Sequence, residues 1–369
     1  MPRQVLMITV DHLAPSLLGA YGRFDAQTPN LNQLAARAYL YHNAIGSLDS
    51  AAPLGDELQR CCETAGIIAS QLTPPHHPPS REWTHQAIEA IRQSLTGSQP
   101  GLLWIALPGI PDPWIPTHSG WEEEVARRLG TSWAELLVDE PELTPLQAVQ
   151  ALADEGHFSR QRSAATPAPE ADQLSLALYQ ACVDRLDERL GRLIREYQQH
   201  AAPESLLIVA GWAGDRLPRT WPVQRTVILT DELLHVPLLI QPGAGTAVGT
   251  AVLELVQSED ISKTVLTWLR GTTQDHHDEG LDLLAVATKQ QPGRSVILRR
   301  HPGGETLIRT PTAQLVTRAA DPAIPGDHPT LWLTHKPEDA WDLLNVADQN
   351  PEIVHELEQL ANQTNRPGP

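Results

Sequence analysis

The chain has 369 residues, with 27 Lys+Arg against 45 Asp+Glu and a formal net charge of −18. A surface that acidic repels nucleic acid and anionic lipid, so neither nucleic acid nor membrane is expected as a partner. Hydrophobic residues make up 41% and charged residues 20%, the balance of a soluble globular protein able to build a large domain and a smaller one.

The first apolar run, residues 5–10, predicts a buried strand that ends at Asp11 and His12. An acid and an imidazole at a strand tip suit a metal or a proton. Residues 29–39 predict a helix with Leu31, Leu34, Ala35 and Ala38 on one face, and residues 56–65 another with Leu58, Cys61, Cys62 and Ala65. The stretch TPPHHPPS (73–80) reads as a loop whose His76 and His77 face solvent. Residues 102–107 predict a second strand. GWEEEVARRLGTSWAELLVDE, from Gly120, reads as helix within a segment (117–170) whose Trp121, Trp133 and many acids suit a partner surface or a lid. The ATPAPEADQ stretch (165–173) is a connector.

Residues 172–197 give the clearest amphipathic helix, with Leu174, Leu178, Cys182, Leu186, Leu190, Leu193 and Tyr197 at three- and four-residue steps. Strands follow at 206–210 and 236–240, and DHHDE (275–279) reads as an exposed loop. From about residue 295, SVILRR, TLIRT, AQLVTR and LWLTH predict an antiparallel sheet, closed by a helix over 350–362. The expected fold class is α/β: a large domain (1–270) with a mostly parallel central sheet flanked by helices, and a small C-terminal α+β subdomain (271–369) with an antiparallel sheet. The three cysteines, Cys61, Cys62 and Cys182, fall on helix faces and have no zinc-like spacing. An odd thiol count, an early first strand and the lack of an apolar run near ~20 residues make a cytoplasmic protein the expectation.

ITVDHLAPSLLGAYGRFDAQTPNLNQLAARA (8–38) resembles the opening of the sulfatases, members of the alkaline phosphatase superfamily. Gly19-Ala20-Tyr21-Gly22 and Thr28-Pro29-Asn30-Leu31 match that family's turn and helix start. ELQRCCETAG (57–66), LLWIALPGIPDPWIP (102–116), ACVDRLDERLGRLI (181–194), LLIVAGWAGDRL (206–217) and DELLHVPLLIQPGAG (231–245) resemble later segments in the same order. LIRTPTAQLV (307–316) and LWLTHKPEDAWDLLNVADQNPE (331–352) resemble its C-terminal subdomain. The resemblance implies a calcium ion among carboxylates at the strand ends, and a Cys-x-Pro-x-Arg cysteine oxidised to formylglycine that attacks a sulfate ester. Fixed cations would take up the developing charge.

Carried over residue by residue, most of that machinery is replaced. Asp11 matches the first metal acid, and His12 stands where the second belongs. The nucleophile position falls at Ala51 and its arginine at Gly55, with Pro53 matching between them. Trp212 and Ala213 replace the metal Asp-His, and only Gly214 of that motif remains. Pro108 and Pro111 replace two histidines. One lysine position falls near Pro74, and another near Arg225 or Thr226. Methyl, indole and pyrrolidine groups neither ligate calcium nor attack sulfur, and clustered carboxylates without a cation raise one another's pKa. Loss of metal and loss of acids therefore go together, and an indole suits the vacated space.

The residues leave two readings. In the first, the chain is a degenerate sulfatase without catalytic residues or cofactor, acting as a binding, scaffolding or regulatory protein with an active relative or with itself as an oligomer. Asp11 is then a turn acceptor after the strand, and with His12 a remnant of the metal site. In the second, it is a sulfuric ester hydrolase or another ester hydrolase with a site rebuilt around Asp11, His12 and Ser50, near Ser47 and Asp49.

Overall fold

The computed structural model describes residues 2–47, 52–76, 78–155, 169–215, 229–243, 245–271, 280–320 and 329–364. The N-terminal half runs β1 (Gln4–Val10), α1 (Pro29–Ala35), β2 (Tyr39–Ile45), α2 (Ala52–Thr64), β3 (Ile68–Leu72), α3 (Arg81–Leu95) and β4 (Gly101–Leu107). Next come α4 (Trp121–Leu129), α5 (Trp133–Leu136), α6 (Pro145–Asp154), α7 (Pro169–His200), β5 (Ser205–Gly211) and α8 (Asp231–Leu234). Then follow β6 (Leu238–Pro242), β7 (Thr250–Gln257), α9 (Asp260–Arg270) and α10 (Leu283–Ala287). The chain closes with β8 (Ile297–Arg300), β9 (Glu305–Arg309), β10 (Ala313–Arg318), β11 (Thr330–His335) and α11 (Pro351–Thr364).

Buried along its whole length, β1 has a residue alternation that serves two cores. Leu6, Ile8 and Val10 join one apolar cluster with α1, α3, α4 and α7, while Val5 and Met7 join another with α2, α9 and α10. A strand covered by helices on both faces has no polar side, which is why 5–10 reads as a nearly unbroken apolar run. The seven-stranded sheet has the order β3-β4-β1-β5-β6-β2-β7. Its β3, β4, β1 and β5 are parallel, and β6 runs antiparallel to both neighbours. Along β1, Val10 lies opposite Leu107 of β4 and Gly211 of β5, so three strands end together at Asp11, Pro108 and Trp212.

The long helix α7 has 32 residues and spans about 48 Å at 1.5 Å per residue. It packs against α3, α4 and α1. The second sheet is antiparallel in the order β11-β10-β9-β8. Ile308, Leu315 and Leu333 on it meet Val354, Leu357 and Ala361 of α11. A seam of Ile45, Leu234 and Leu255 from the large sheet side with Ile297, Leu307 and Val316 joins the two sheets.

Several elements differ from the sequence reading. The helix expected over 29–39 stops at Ala35, and Tyr39 already belongs to β2. The strand expected from Val236 starts at Leu238, after Pro237, which has no N–H to donate to a ladder. Both β2 and β7 were hidden, β2 by His42 and Asn43 at its centre and β7 by the exposed Leu253 of an edge strand. No helix among the described residues is long and apolar enough to cross a membrane.

Candidate functional site: the ends of the central strands

Asp11 sits one residue past β1. Its N–H donates to the Leu107 carbonyl at 3.0 Å, and the turn after β4 passes directly over it. Gly109 makes that passage at φ +77°, and a Cβ built there would overlap the Asp11 carbonyl oxygen. Both Pro108 and Pro111, half buried, belong to this turn.

His12 follows at φ 53°, a left-handed backbone that a non-glycine residue rarely holds without support. The support is visible. The Leu13 N–H donates to the Ala213 carbonyl at 3.0 Å, and the Tyr179 hydroxyl donates to the His12 carbonyl at 3.3 Å. That hydroxyl also lies 3.0 Å from Asp215 Oδ2, so α7, β1 and the end of β5 meet at one buried phenol. Trp114, from the turn after β4, packs edge-on against Tyr179 with ring centroids 5.1 Å apart. The His12 ring places Nδ1 3.3 Å from the Gly214 carbonyl oxygen.

Trp212 continues the ladder beyond β5. Its N–H donates to the Val10 carbonyl at 3.0 Å, and its own carbonyl accepts from Ser47 N–H at 3.0 Å. The indole is only 3% exposed and packs in the cluster that holds Met7, Tyr41, Val236 and Leu283. Ala213 beside it is half buried. A Cβ at Gly214 would overlap the Glu232 carbonyl, which accounts for glycine where α8 presses on this turn.

This cluster therefore gathers Asp11, His12, Tyr179, Trp212, Ala213 and Asp215. Calcium takes six to eight oxygen ligands. Two positions where the sulfatase resemblance calls for ligands hold an indole and a methyl group here, and Asp11 is joined by an imidazole, which suits softer ions. Among the described residues the carboxylates of this cluster are Asp11 and Asp215, and Asp215 Oδ2 already accepts from Tyr179. No group of three or more His, Cys, Asp or Glu among the described residues is arranged to hold a metal ion. Ser50, Asp49, Ala51, Arg225 and Thr226 lie outside the described residues, as do His77 and the 275–279 loop, while Gly55 falls within the backbone of α2. His76 is exposed, and Pro74 is buried.

Tyr179 and Asp215 were not singled out from the sequence. Tyr179 looks like one more residue of an amphipathic helix. Asp215 had a signal, since it follows Trp212-Ala213-Gly214 directly.

A second polar cluster ties α4 to α7. Arg128 donates to Glu124 Oε1 at 3.2 Å and to Gln180 Oε1 at 3.1 Å, and it pairs with Asp184. His118 Nε2 lies 3.3 Å from Glu124 Oε2. Burial and the hydrogen bond that protonated Asp184 donates to Glu124 push Asp184 up to about 8, against Arg128. Glu124 is held down to about 2: burial works the other way, but His118, Asp184 and Arg128 outweigh it. A cavity of about 560 Å³ opens beside the pair, lined by Gln27, Glu123, Arg127, Asp187 and Glu188 among others.

No protein-family model matches the chain, and no curated protein matches it. Solved structures do. A 2-O GAG sulfatase superposes with a TM-score of 0.65 at 14% identity, over 99% of this chain and 92% of that one. The phosphonate monoester hydrolase of Agrobacterium radiobacter gives 0.65 at 16%, over 98% and 95%. A structure solved in complex with its substrate D-glucosamine-2-N,6-O-disulfate gives 0.67 at 15%, over 98% and 97%. The mixed sheet, its helices on both faces and the separate antiparallel sheet thus make up the fold seen in these sulfatase and phosphonate monoester hydrolase structures.

Proposed function

We propose that this protein keeps the sulfatase fold without hydrolysing sulfate esters, and works by binding: as a scaffold or regulatory subunit, with an active relative or a second copy as partner. The observation that carries the reading is Trp212, an indole sealed into the apolar core at the strand end where the resemblance calls for a metal acid. Ala213 next to it offers no donor. Three cysteines outside any disulfide, two of them buried, suit work in the cytoplasm.

Metal content and turnover test this together. Protein purified without chelator carries no stoichiometric metal, calcium does not shift its melting, and aryl sulfate hydrolysis stays at the level of a heat-killed control. Bound metal that disappears in Asp11→Ala, or turnover clearly above that control, sinks the proposal.

A rebuilt ester hydrolase is the second reading, and the His12 ring favours it. Contact of Nδ1 with the Gly214 carbonyl makes Nδ1 the protonated nitrogen and leaves Nε2 as the basic one, the arrangement a general base needs. Under this reading Ser50 is labelled by an active-site phosphonate in the wild type and not in His12→Ala. No labelling of the wild type rules it out.

A further inference from the structure

Helix α7 carries a basic stripe that the strand ends do not use. Arg185, Arg189 and Arg192 follow one another at four- and three-residue steps, which sets successive Cβ atoms about 5–6 Å apart on one face. Arg185 is paired with Glu188. Arg189 is half buried against the residues that lead into α3, where its Nη2 donates to the Pro79 carbonyl at 3.4 Å. Among the described residues it pairs with no carboxylate. Burial, then repulsion from Arg185 and Arg192, pulls its guanidinium down to about 10.

That is an unfavourable arrangement for the folded chain by itself. The protein has 45 acidic residues to spend on 27 basic ones, yet a half-buried cation here stands between two other cations. Like charges at these spacings destabilise a helix, and a buried charge without a counter-charge destabilises more. Glu188 neutralises Arg185. Among the described residues Arg189 and Arg192 form no ion pair, which leaves two adjacent positive charges, each a planar fork of N–H donors suited to oxyanions. A carboxylate would leave one of those charges unmatched, whereas a tetrahedral dianion matches both. An anionic polymer is opposed by the net charge of −18.

We propose that Arg189 and Arg192, with Arg185 alongside, bind a small tetrahedral dianion of the phosphate or sulfate class where α7 meets the Pro79–Ser80 turn. This site is separate from the strand-end cluster and does not depend on whether that cluster is active.

The experiment is a thermal melt with inorganic phosphate or sulfate titrated against sodium chloride at constant ionic strength, on wild type, Arg189→Gln, Arg192→Gln and the control Arg60→Gln. Wild type and Arg60→Gln show a saturable rise in melting temperature. Arg189→Gln and Arg192→Gln bind at least about tenfold more weakly. Without dianion, Arg189→Gln melts at or above wild type, because the repulsion is gone. A response that is the same in all four proteins, or absent in wild type, overturns the proposal. So does an Arg189→Gln protein that melts well below wild type, since Arg189 would then be a structural pin on Pro79. Arg192 is exposed, so its variant keeps the test intact if Arg189→Gln does not fold.

Discussion

Lys336 Nζ lies 2.6 Å from Asp231 Oδ2, which pairs a residue at the end of the antiparallel sheet with one 105 positions earlier that opens α8. The lysine follows β11 and is fully buried, while the aspartate opens α8 next to the large sheet. The ammonium also touches Asp342 Oδ1 at 2.7 Å and donates to the Asp339 carbonyl at 2.6 Å. Asp342 in turn accepts from the Asp231 N–H at 2.6 Å, from Gln314 and from Thr334. Burial would raise the Asp231 carboxyl, but Arg309, Lys336 and His235 hold it below its ordinary range. The C-terminal sheet is thus tied to the large one by a buried ionic cluster, and just past β2 the Gly46 carbonyl accepts from Arg299 Nε at 2.9 Å.

Removing the lysine takes from two buried carboxylates the ammonium that they share. Lys336→Met should cost about 3–5 kcal/mol in urea unfolding. Because the folded pKa of Asp231 is depressed, its contribution is present above the unfolded value of about 3.9 and is lost as pH falls below that. A variant within about 1 kcal/mol of wild type at pH 7 would show that the cluster is not the tie.

Asp184 gives a pH dependence of opposite sign. Its folded pKa of about 8 lies above the unfolded value, so folding takes up a proton between the two. Stability should fall as pH rises through the range from about 4 to about 8, by at most about 1.4 kcal/mol per unit. Glu124, held at about 2, adds the reverse slope only in acid. Asp184→Asn should flatten the neutral slope, read from denaturation midpoints at pH 6, 7 and 8. An unchanged slope would mean that another group carries the proton.

Much of this architecture is legible from residue order. The strand of β1 shows because both its faces are buried, and α7 shows because one face packs on three helices. The C-terminal sheet shows through its β-branched runs. Among the elements missed, which include β3, α3 and α9, context overrides pattern in β2, with His42 and Asn43 inside it, and in β7, with an edge strand's mixed exposure. At the strand ends, Asp11, His12, Trp212 and Ala213 were grouped only through the sulfatase resemblance, and the parallel register of β1 with β5 sets them side by side. Tyr179 was not grouped with them. Its helix packs across the strand tips, and no spacing in a single sequence reports which helical residue reaches a carbonyl 167 positions away.

Trp212 should behave as core and not as a binding residue. Trp212→Ala removes a fully packed indole and should cost about 3–5 kcal/mol, and Trp212→Phe should cost clearly less. Neither variant should change hydrolysis of an aryl sulfate from background. Stability equal to wild type in Trp212→Ala would mean that the indole fills no space the fold needs.

Gly109 separates backbone strain from close approach. It shares a left-handed backbone with Gly130, at φ +77° and +68°. A Cβ at Gly130 meets nothing within 4 Å, whereas one at Gly109 overlaps the Asp11 carbonyl. Gly130→Ala should therefore cost only the backbone penalty of about 1 kcal/mol. Gly109→Ala must also lift the proline-bracketed turn off Asp11, and should cost more than about 2 kcal/mol. The lifted turn carries Trp114, so the Tyr179 contact loosens as well, and near-ultraviolet circular dichroism should change in Gly109→Ala but not in Gly130→Ala. Equal costs and unchanged spectra in both variants would show that the turn tolerates displacement, and that the strand-end cluster is not held shut by its contact with Asp11.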